Sequence, residues 1–339
     1  MSIENIYYPK SFFLSKNDYK VLFFDIFFKN KFIYLISPIY TEPYCEKNIV
    51  ITFNNENLIF SDKIIRNDGE PISIYKYNII TDETKINIQV KYVDLTMGYY
   101  LEKIEEPKKY LTLNTLFKDD FKLINIFYDY YIKQGVEHFY LYYNGELNEK
   151  FNEKLKGDLN GDLNIFFNNK NITLVEWNFK YFNNPNCKYI HHAQLGSLNH
   201  CFYKYGKDYS KYMIFNDLDE YLHIKNETIL NTLKKNDYDW IQFNNIWSST
   251  LDNMVPNKFP AKFKIDNVKH PYPIRAKNIY KCECVELVNI HTCLNFNKIN
   301  LKILEDLDMY HFYNWSGKTG RELRVENYTE IQIENFDEI

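Results

Sequence analysis

The segment Tyr212-Met213-Ile214-Phe215-Asn216-Asp217-Leu218-Asp219-Glu220 joins an unbroken apolar run to an acidic turn. Four consecutive apolar residues are too few for a helix and read as a strand buried on both faces, the kind found in parallel sheets. In such sheets ligands bind beyond the carboxyl ends of the strands. Asp217 and Asp219 fall at that end. Asp-x-Asp occurs twice more, at Asp237/Asp239 and Asp306/Asp308, and a pattern this short is expected by chance roughly once or twice. Those two pairs precede their strands, Trp240–Asn244 and Met309–Tyr313, and so sit at amino ends. Position therefore singles out Asp217/Asp219; the competing reading is a solvated acidic turn.

An i, i+2 spacing in an extended segment puts both carboxylates on one face. Two carboxylates suffice to hold a hard divalent cation when phosphate oxygens supply the other ligands. Such a cation neutralises the charge that builds on a diphosphate leaving group when a sugar–phosphate bond breaks. The motif thus fits chemistry on a nucleotide-sugar.

After this strand the pattern runs helix (226–235) and strand (240–244). Before it come a strand at 110–117, a helix at 119–134 closed by Gly135, a strand at 138–143, a helix at 146–156, a strand at 172–177 and a helix at 188–205. This alternation predicts an α/β domain with a mostly parallel sheet flanked by helices. Residues 1–105 read differently. Segments 19–28, 31–37, 48–53, 72–79 and 85–93 are rich in Ile, Val, Tyr and Phe and separated by Asn, Asp and Gly, with no amphipathic helix between them. They predict a small β-rich, sandwich-like domain. The charged stretch 102–109 with Pro107 reads as a linker. The expected organisation is 1–105 β-rich, 108–320 α/β and 321–339 a C-terminal tail.

The formal net charge of −4, with no long basic block, argues against a nucleic-acid partner. No segment pairs a basic region with a sustained apolar core, so neither a signal peptide nor a transmembrane segment is expected, and the protein is read as cytoplasmic. Six cysteines in 339 residues do not make a disulfide framework. Aromatics at 18 % are spread over every segment, as a compositional bias would spread them, and are weak evidence for sugar stacking.

The run Lys109–Phe117, the helix ending Tyr130-Tyr-Ile-Lys-Gln-Gly135 and the strand Val136–Asn144 resemble the opening of family 92 glycosyltransferases. Gln194-Leu-Gly-Ser-Leu-Asn-His-Cys201, the segment 212–222, Lys277–Lys281 with Val288–His291, and Tyr310-His-Phe-Tyr313 are similar to that family's later elements in the same order. The resemblance covers about residues 108–315. It implies a GT-A fold, inverting transfer to a glycan or other hydroxyl acceptor, and a UDP-linked donor, often UDP-galactose. It also implies that Asp217 and Asp219 hold the metal and diphosphate, that His291 completes the coordination, and that Glu220 lies behind the metal or on the acceptor side. Gln194 and Lys277 become candidate donor contacts, and His311, in an aromatic strand, reads either as core packing or as a donor contact. Imidazole among carboxylates favours Mn²⁺ over Mg²⁺.

An inverting transfer needs a carboxylate base near the acceptor hydroxyl. Asp252, beyond the strand 240–244, is the candidate, with Glu283 and Glu286 as rivals. Cys282, Cys284, His291 and Cys293 resemble a zinc set, but Cys-x-Cys is tight for zinc and fits a buried stripe better. His191-His192 reads as a cap or surface pair. The N-terminal domain could bind carbohydrate, form a homo-oligomer, or brace the transferase; no compact exposed aromatic cluster favours the first. A glycan-binding scaffold with a degenerate transferase fold and a nucleotide-sugar hydrolase are the rival functions. Cation-dependent stabilisation by a nucleoside diphosphate separates the scaffold from the enzyme, and donor cleavage that no acceptor diverts would mark the hydrolase.

Overall fold

The computed structural model describes residues 5–15, 20–40, 48–66, 72–158, 169–182, 189–190, 192–252, 254–270, 275–296, 301–315 and 328–333. The chain forms two compact units. One comprises Met1–Tyr7, Lys108–Glu176 and Gly206–Ile339; the other comprises Tyr8–Pro107 and Trp177–Tyr205.

The first unit is built on an eleven-stranded sheet. Ile6–Tyr7, Ile172–Glu176, His138–Tyr143, Lys109–Phe117 and Ser210–Phe215 lie side by side, all parallel. Beyond Ser210–Phe215 the direction alternates. Lys277–Lys281, Trp240–Ser249, Lys262–His270 and Tyr328–Gln332 follow in antiparallel pairs. Ile303–His311 runs parallel to Trp240–Ser249 and antiparallel to Glu220–His223. The sheet is therefore mixed, not mostly parallel as the sequence predicts. A parallel pair needs a long crossover, usually a helix. Among the described residues after Gly206, Ile229–Asn236 is the sole α-helix. The described later strands pair antiparallel, apart from Ile303–His311 on Trp240–Ser249.

The parallel half carries its crossovers as expected. Phe121–Leu123 forms a 3₁₀ turn that leads into helix Ile124–Lys133. Gly135 ends it with φ of 89°, and a Cβ there would lie 2.4 Å from that of Leu230, so only glycine fits. Thr228 caps the Ile229–Asn236 helix by accepting from the Asn231 amide at 3.2 Å. These helices bury Phe127, Tyr131 and Leu233 against Leu113, Leu141 and Ile214 of the sheet, in one core with Tyr221 and Ile279. The effect at the site is simple. Ser210–Phe215 stands at the seam between the parallel and antiparallel halves, and the acidic turn leaves its carboxyl end.

The second unit holds an eight-stranded sheet in the order Glu56–Asn57, Ile49–Phe53, Lys85–Tyr92, Leu95–Ile104, Asp25–Lys29, Phe32–Ser37, Ile72–Asn78, Ile59–Arg66. All neighbours are antiparallel except Leu95–Ile104 with Asp25–Lys29. The stretch read as a linker is in part strand: Leu95–Ile104 buries Tyr99 and Leu101 and exposes Tyr100 and Glu102. That period of two was the signal in the sequence.

Residues Trp177–Tyr205 group with this unit. The Trp177 indole donates to the Ala193 carbonyl at 2.8 Å. Gly196 packs against the Phe24 ring so closely that a Cβ would lie 2.8 Å from it. The fully buried Asp25 carboxylate accepts from His200 Nε2 at 2.6 Å and pairs with the Lys204 ammonium at 3.2 Å. The helix here is Ala193–Cys201, extended by a π-helical turn Phe202–Gly206, shorter than the expected 188–205. His191 lies outside the described residues, as does most of the expected tail, but Tyr328–Gln332 is an edge strand on Lys262–His270. Among the described residues no helix is long and apolar enough to cross a membrane.

Candidate functional site

Asn216 to Asp219 form a tight turn between Ser210–Phe215 and Glu220–His223. The Asp217 amide donates to Glu220 Oε2 at 2.8 Å, which closes the turn on itself. Behind it stands Tyr131 of helix Ile124–Lys133. Its hydroxyl donates to the Glu220 carbonyl at 2.9 Å and accepts from Asn216 Nδ2 at 2.8 Å and the Leu222 amide at 3.1 Å. The backbone of the acidic turn is thus held by one buried phenol. Asp217 projects with its side chain partly exposed, while Asp219 and Glu220 are buried.

Pairing of Glu220–His223 with Ile303–His311 sets Glu220 opposite His311. His311 Nε2 then lies 3.4 Å from Asp219 Oδ2, and Nδ1 lies 3.8 Å from Glu220 Oε1. The geometry at Nε2 is not that of a hydrogen bond, and among the described residues this buried nitrogen has no hydrogen-bond partner. On its other side Nδ1 meets Asn245 Oδ1 at 3.0 Å. With Nδ1–H donating to that amide oxygen, Nε2 carries a lone pair aimed at a carboxylate. Two electron donors face each other across a gap, an arrangement that a cation between them would satisfy. Asn245 and Trp247, whose ring packs 4.5 Å from that of His311, are contributors that the sequence reading missed. The available signal was an Asn set between apolar residues, Phe243 and Ile246-Trp247, where an amide needs a polar partner once buried.

Lys277 enters from the antiparallel half. Its ammonium lies 2.9 Å from Glu220 Oε2 and 3.4 Å from Asp217 Oδ2, and is almost wholly buried. Burial pulls its pKa down, but the Asp217 and Glu220 carboxylates outweigh that and hold it above the ordinary lysine value. Burial also lifts the Glu220 carboxyl, with Lys277 opposing. Two carboxylates, those of Asp217 and Glu220, share this one ammonium.

His291 presents Nδ1 to the Ala276 carbonyl at 3.2 Å, and its own carbonyl accepts from Asn278 Nδ2 at 2.8 Å. Burial, reinforced by the Lys277 charge, lowers its pKa to about 4, so it is neutral at physiological pH. Nδ1–H donation to Ala276 leaves Nε2 as the free donor atom. Among the described residues no group of three His, Cys, Asp or Glu side chains is placed to hold a metal ion. Asp219 and His311 face each other directly; His291 flanks the Lys277 side.

The remaining candidates make other contacts. Asp252 is exposed past the end of Trp240–Ser249, where its Oδ1 accepts from the Met254 amide at 3.0 Å. Gln194, which accepts from the Tyr181 hydroxyl at 2.6 Å, belongs to the second unit. Glu283 is exposed and pairs with Lys281 at 3.0 Å. Cys282, Cys284 and Cys293 are buried free thiols, and Cys284 approaches Asp239 Oδ1 at 3.5 Å. The rival acidic pairs are structural. Asp237 is tied to Lys211, Lys281 and Tyr212, Asp239 accepts from the Lys302 amide at 2.9 Å, and Asp308 pairs with Lys269 at 2.5 Å.

A family model described as Glycosyltransferase family 92 matches residues 112–335, a span that includes the acidic turn, Lys277, His291 and His311. None of the curated proteins matches the chain.

Proposed function

The chain belongs to glycosyltransferase family 92 and is a glycosyltransferase, and from that premise we propose that it transfers a hexose from a UDP-linked donor to a hydroxyl acceptor, with inversion and with the help of a divalent cation. The observation that carries the cation is the buried His311 Nε2, without a hydrogen-bond partner among the described residues, 3.4 Å from Asp219 Oδ2. Asp219 and His311 would hold the ion from the protein side, and His291, which lies near Lys277 and Asp217, is the further imidazole proposed for it. Imidazole donors beside carboxylates favour Mn²⁺ over Mg²⁺. When bound, the cation supplies charge neutralisation for the departing diphosphate.

The chain's own residues do the rest. Tyr131 and Glu220 fix the turn, so that Asp217 and Asp219 need no rearrangement when substrate arrives. Lys277 keeps Glu220 and Asp217 in place and holds its proton throughout the working pH range. The acceptor oxygen attacks the anomeric carbon as the bond to the phosphate oxygen breaks, and the acceptor proton passes to a carboxylate. Asp252 is the proposed base. What supports it is position: the strand that sets Asn245 and Trp247 against His311 runs on into the exposed turn bearing Asp252.

A screen of donor cleavage over UDP-, GDP- and dTDP-hexoses, each with and without Mn²⁺, tests the reading. Turnover confined to UDP-sugars with Mn²⁺ is expected. Equal turnover in EDTA would remove the cation, and turnover with GDP- or dTDP-sugars alone would remove the uridine assignment.

A further inference from the structure

Three consecutive residues, Arg275-Ala276-Lys277, enter the site one after another. Lys277 binds Asp217 and Glu220. The Ala276 carbonyl meets His291 Nδ1. Arg275 lays its guanidinium over the Trp247 ring, 5.2 Å from the centroid, and Trp247 in turn packs on His311. Lys277 was the cation expected to meet the donor's diphosphate. Its ammonium is buried and committed to two carboxylates, so it faces inward and not toward substrate.

Arg275 is placed differently. It is exposed, and among the described residues no carboxylate lies within ion-pair distance of it. Its backbone has φ of 54°, the left-handed region that a non-glycine residue adopts rarely and that collects at ligand sites. The ring of Trp247 holds the guanidinium plane by a cation–π contact without using its N–H donors. A planar fork whose donors no described residue takes, two residues from a lysine bound to the acidic turn, is the arrangement that takes two phosphate oxygens at once. A surface arginine merely resting on a tryptophan would need neither the left-handed backbone nor the link through Trp247 to His311.

We propose that Arg275 grips the diphosphate of the nucleotide-sugar donor, with Trp247 as its platform, and that Lys277 acts from behind by ordering the carboxylates. This rests on the donor being a nucleoside diphosphate sugar, as proposed above.

The test is calorimetric titration of the full chain with Mn²⁺ present, using inorganic pyrophosphate, UDP and uridine as probes. The variants are Arg275→Ala and Arg275→Lys, with ligand-free melting temperature as the folding control. Arg275→Ala should weaken pyrophosphate and UDP binding by about 10- to 100-fold, the range for a lost charge-assisted pair. Arg275→Lys keeps the charge and the stacking but not the fork, and should recover only part. Uridine binding should be unchanged in both. Equal pyrophosphate affinity for wild type and Arg275→Ala overturns the proposal, as does an equal loss for uridine. If the wild type binds neither pyrophosphate nor UDP, the nucleotide-sugar reading itself fails and takes this assignment with it.

Discussion

One hydroxyl shows how the site is controlled at the scale of a residue. Tyr131 makes three hydrogen bonds to Asn216, Glu220 and Leu222, which bracket both aspartates. Its neighbour Tyr130, equally buried on the same helix, donates to the Leu222 carbonyl at 2.7 Å. Each Tyr→Phe change removes one buried hydroxyl and should cost about 1–2 kcal/mol of stability. Tyr131→Phe should also lower turnover about tenfold or more and raise the Mn²⁺ concentration for half-maximal activity, while Tyr130→Phe leaves that concentration alone. Equal Mn²⁺ dependence in the two variants would contradict the positioning role.

Histidine titration is a second test at this scale. Burial lowers His138 to about 3, and His200 and His291 to about 4. Between these values and the ordinary histidine pKa near 6.5, the unfolded chain binds protons that the folded chain refuses. Stability should therefore be complete above about pH 6.5 and fall as pH drops toward 4. Urea midpoints measured from pH 7.5 to 4.5 check this; a flat profile would contradict it. The place of Asp217 and Asp219 past the carboxyl end of Ser210–Phe215 was legible in the sequence because an apolar run leads straight into them. The partner of Asp219 was not. The sequence reading gave metal coordination to His291 and left His311 between core packing and donor contact; the pairing of Glu220 with His311 across two strands is what sets His311 beside Asp219.

At the scale of elements, the parallel half was legible and the antiparallel half was not. Helices 119–134 and 226–235 announce crossovers through caps, Gly135 and apolar stripes. Nothing local announces that Lys277–Lys281 inserts between Ser210–Phe215 and Trp240–Ser249. That insertion is what brings Lys277 to the acidic turn. Gly135 is the most exacting position among these connections, with its left-handed φ and its close approach to Leu230. Gly135→Ala should destabilise by about 2 kcal/mol or more, read as a lower urea midpoint. A midpoint equal to wild type would mean that the turn relaxes freely.

At the scale of the whole molecule, the β-rich start was legible from its alternating Ile, Val, Tyr and Phe, whereas the assignment of 177–205 to it was not. That assignment depends on Asp25 meeting His200 and Lys204 across 175 and 179 positions of sequence, and no local pattern encodes it. Removing one member of a buried ionic cluster strands the others and costs about 3–5 kcal/mol. Asp25→Ala should accordingly destabilise the protein on that scale. A fragment of residues 1–107 lacks the Trp177–Tyr205 segment and should show no cooperative melting. A sharp transition in that fragment would show that the segment is dispensable to the unit.

The most direct test of the account is binding of UDP to the intact protein, followed by calorimetry with Mn²⁺ and with EDTA, for wild type, Asp219→Asn and His311→Ala. The account predicts UDP binding that requires Mn²⁺ in the wild type and is weakened at least tenfold in both variants, with their folds retained. Wild-type binding that is unchanged in EDTA, or folded variants that bind UDP and Mn²⁺ as the wild type does, would contradict the claim that Asp219 and His311 hold a cation for the donor's diphosphate.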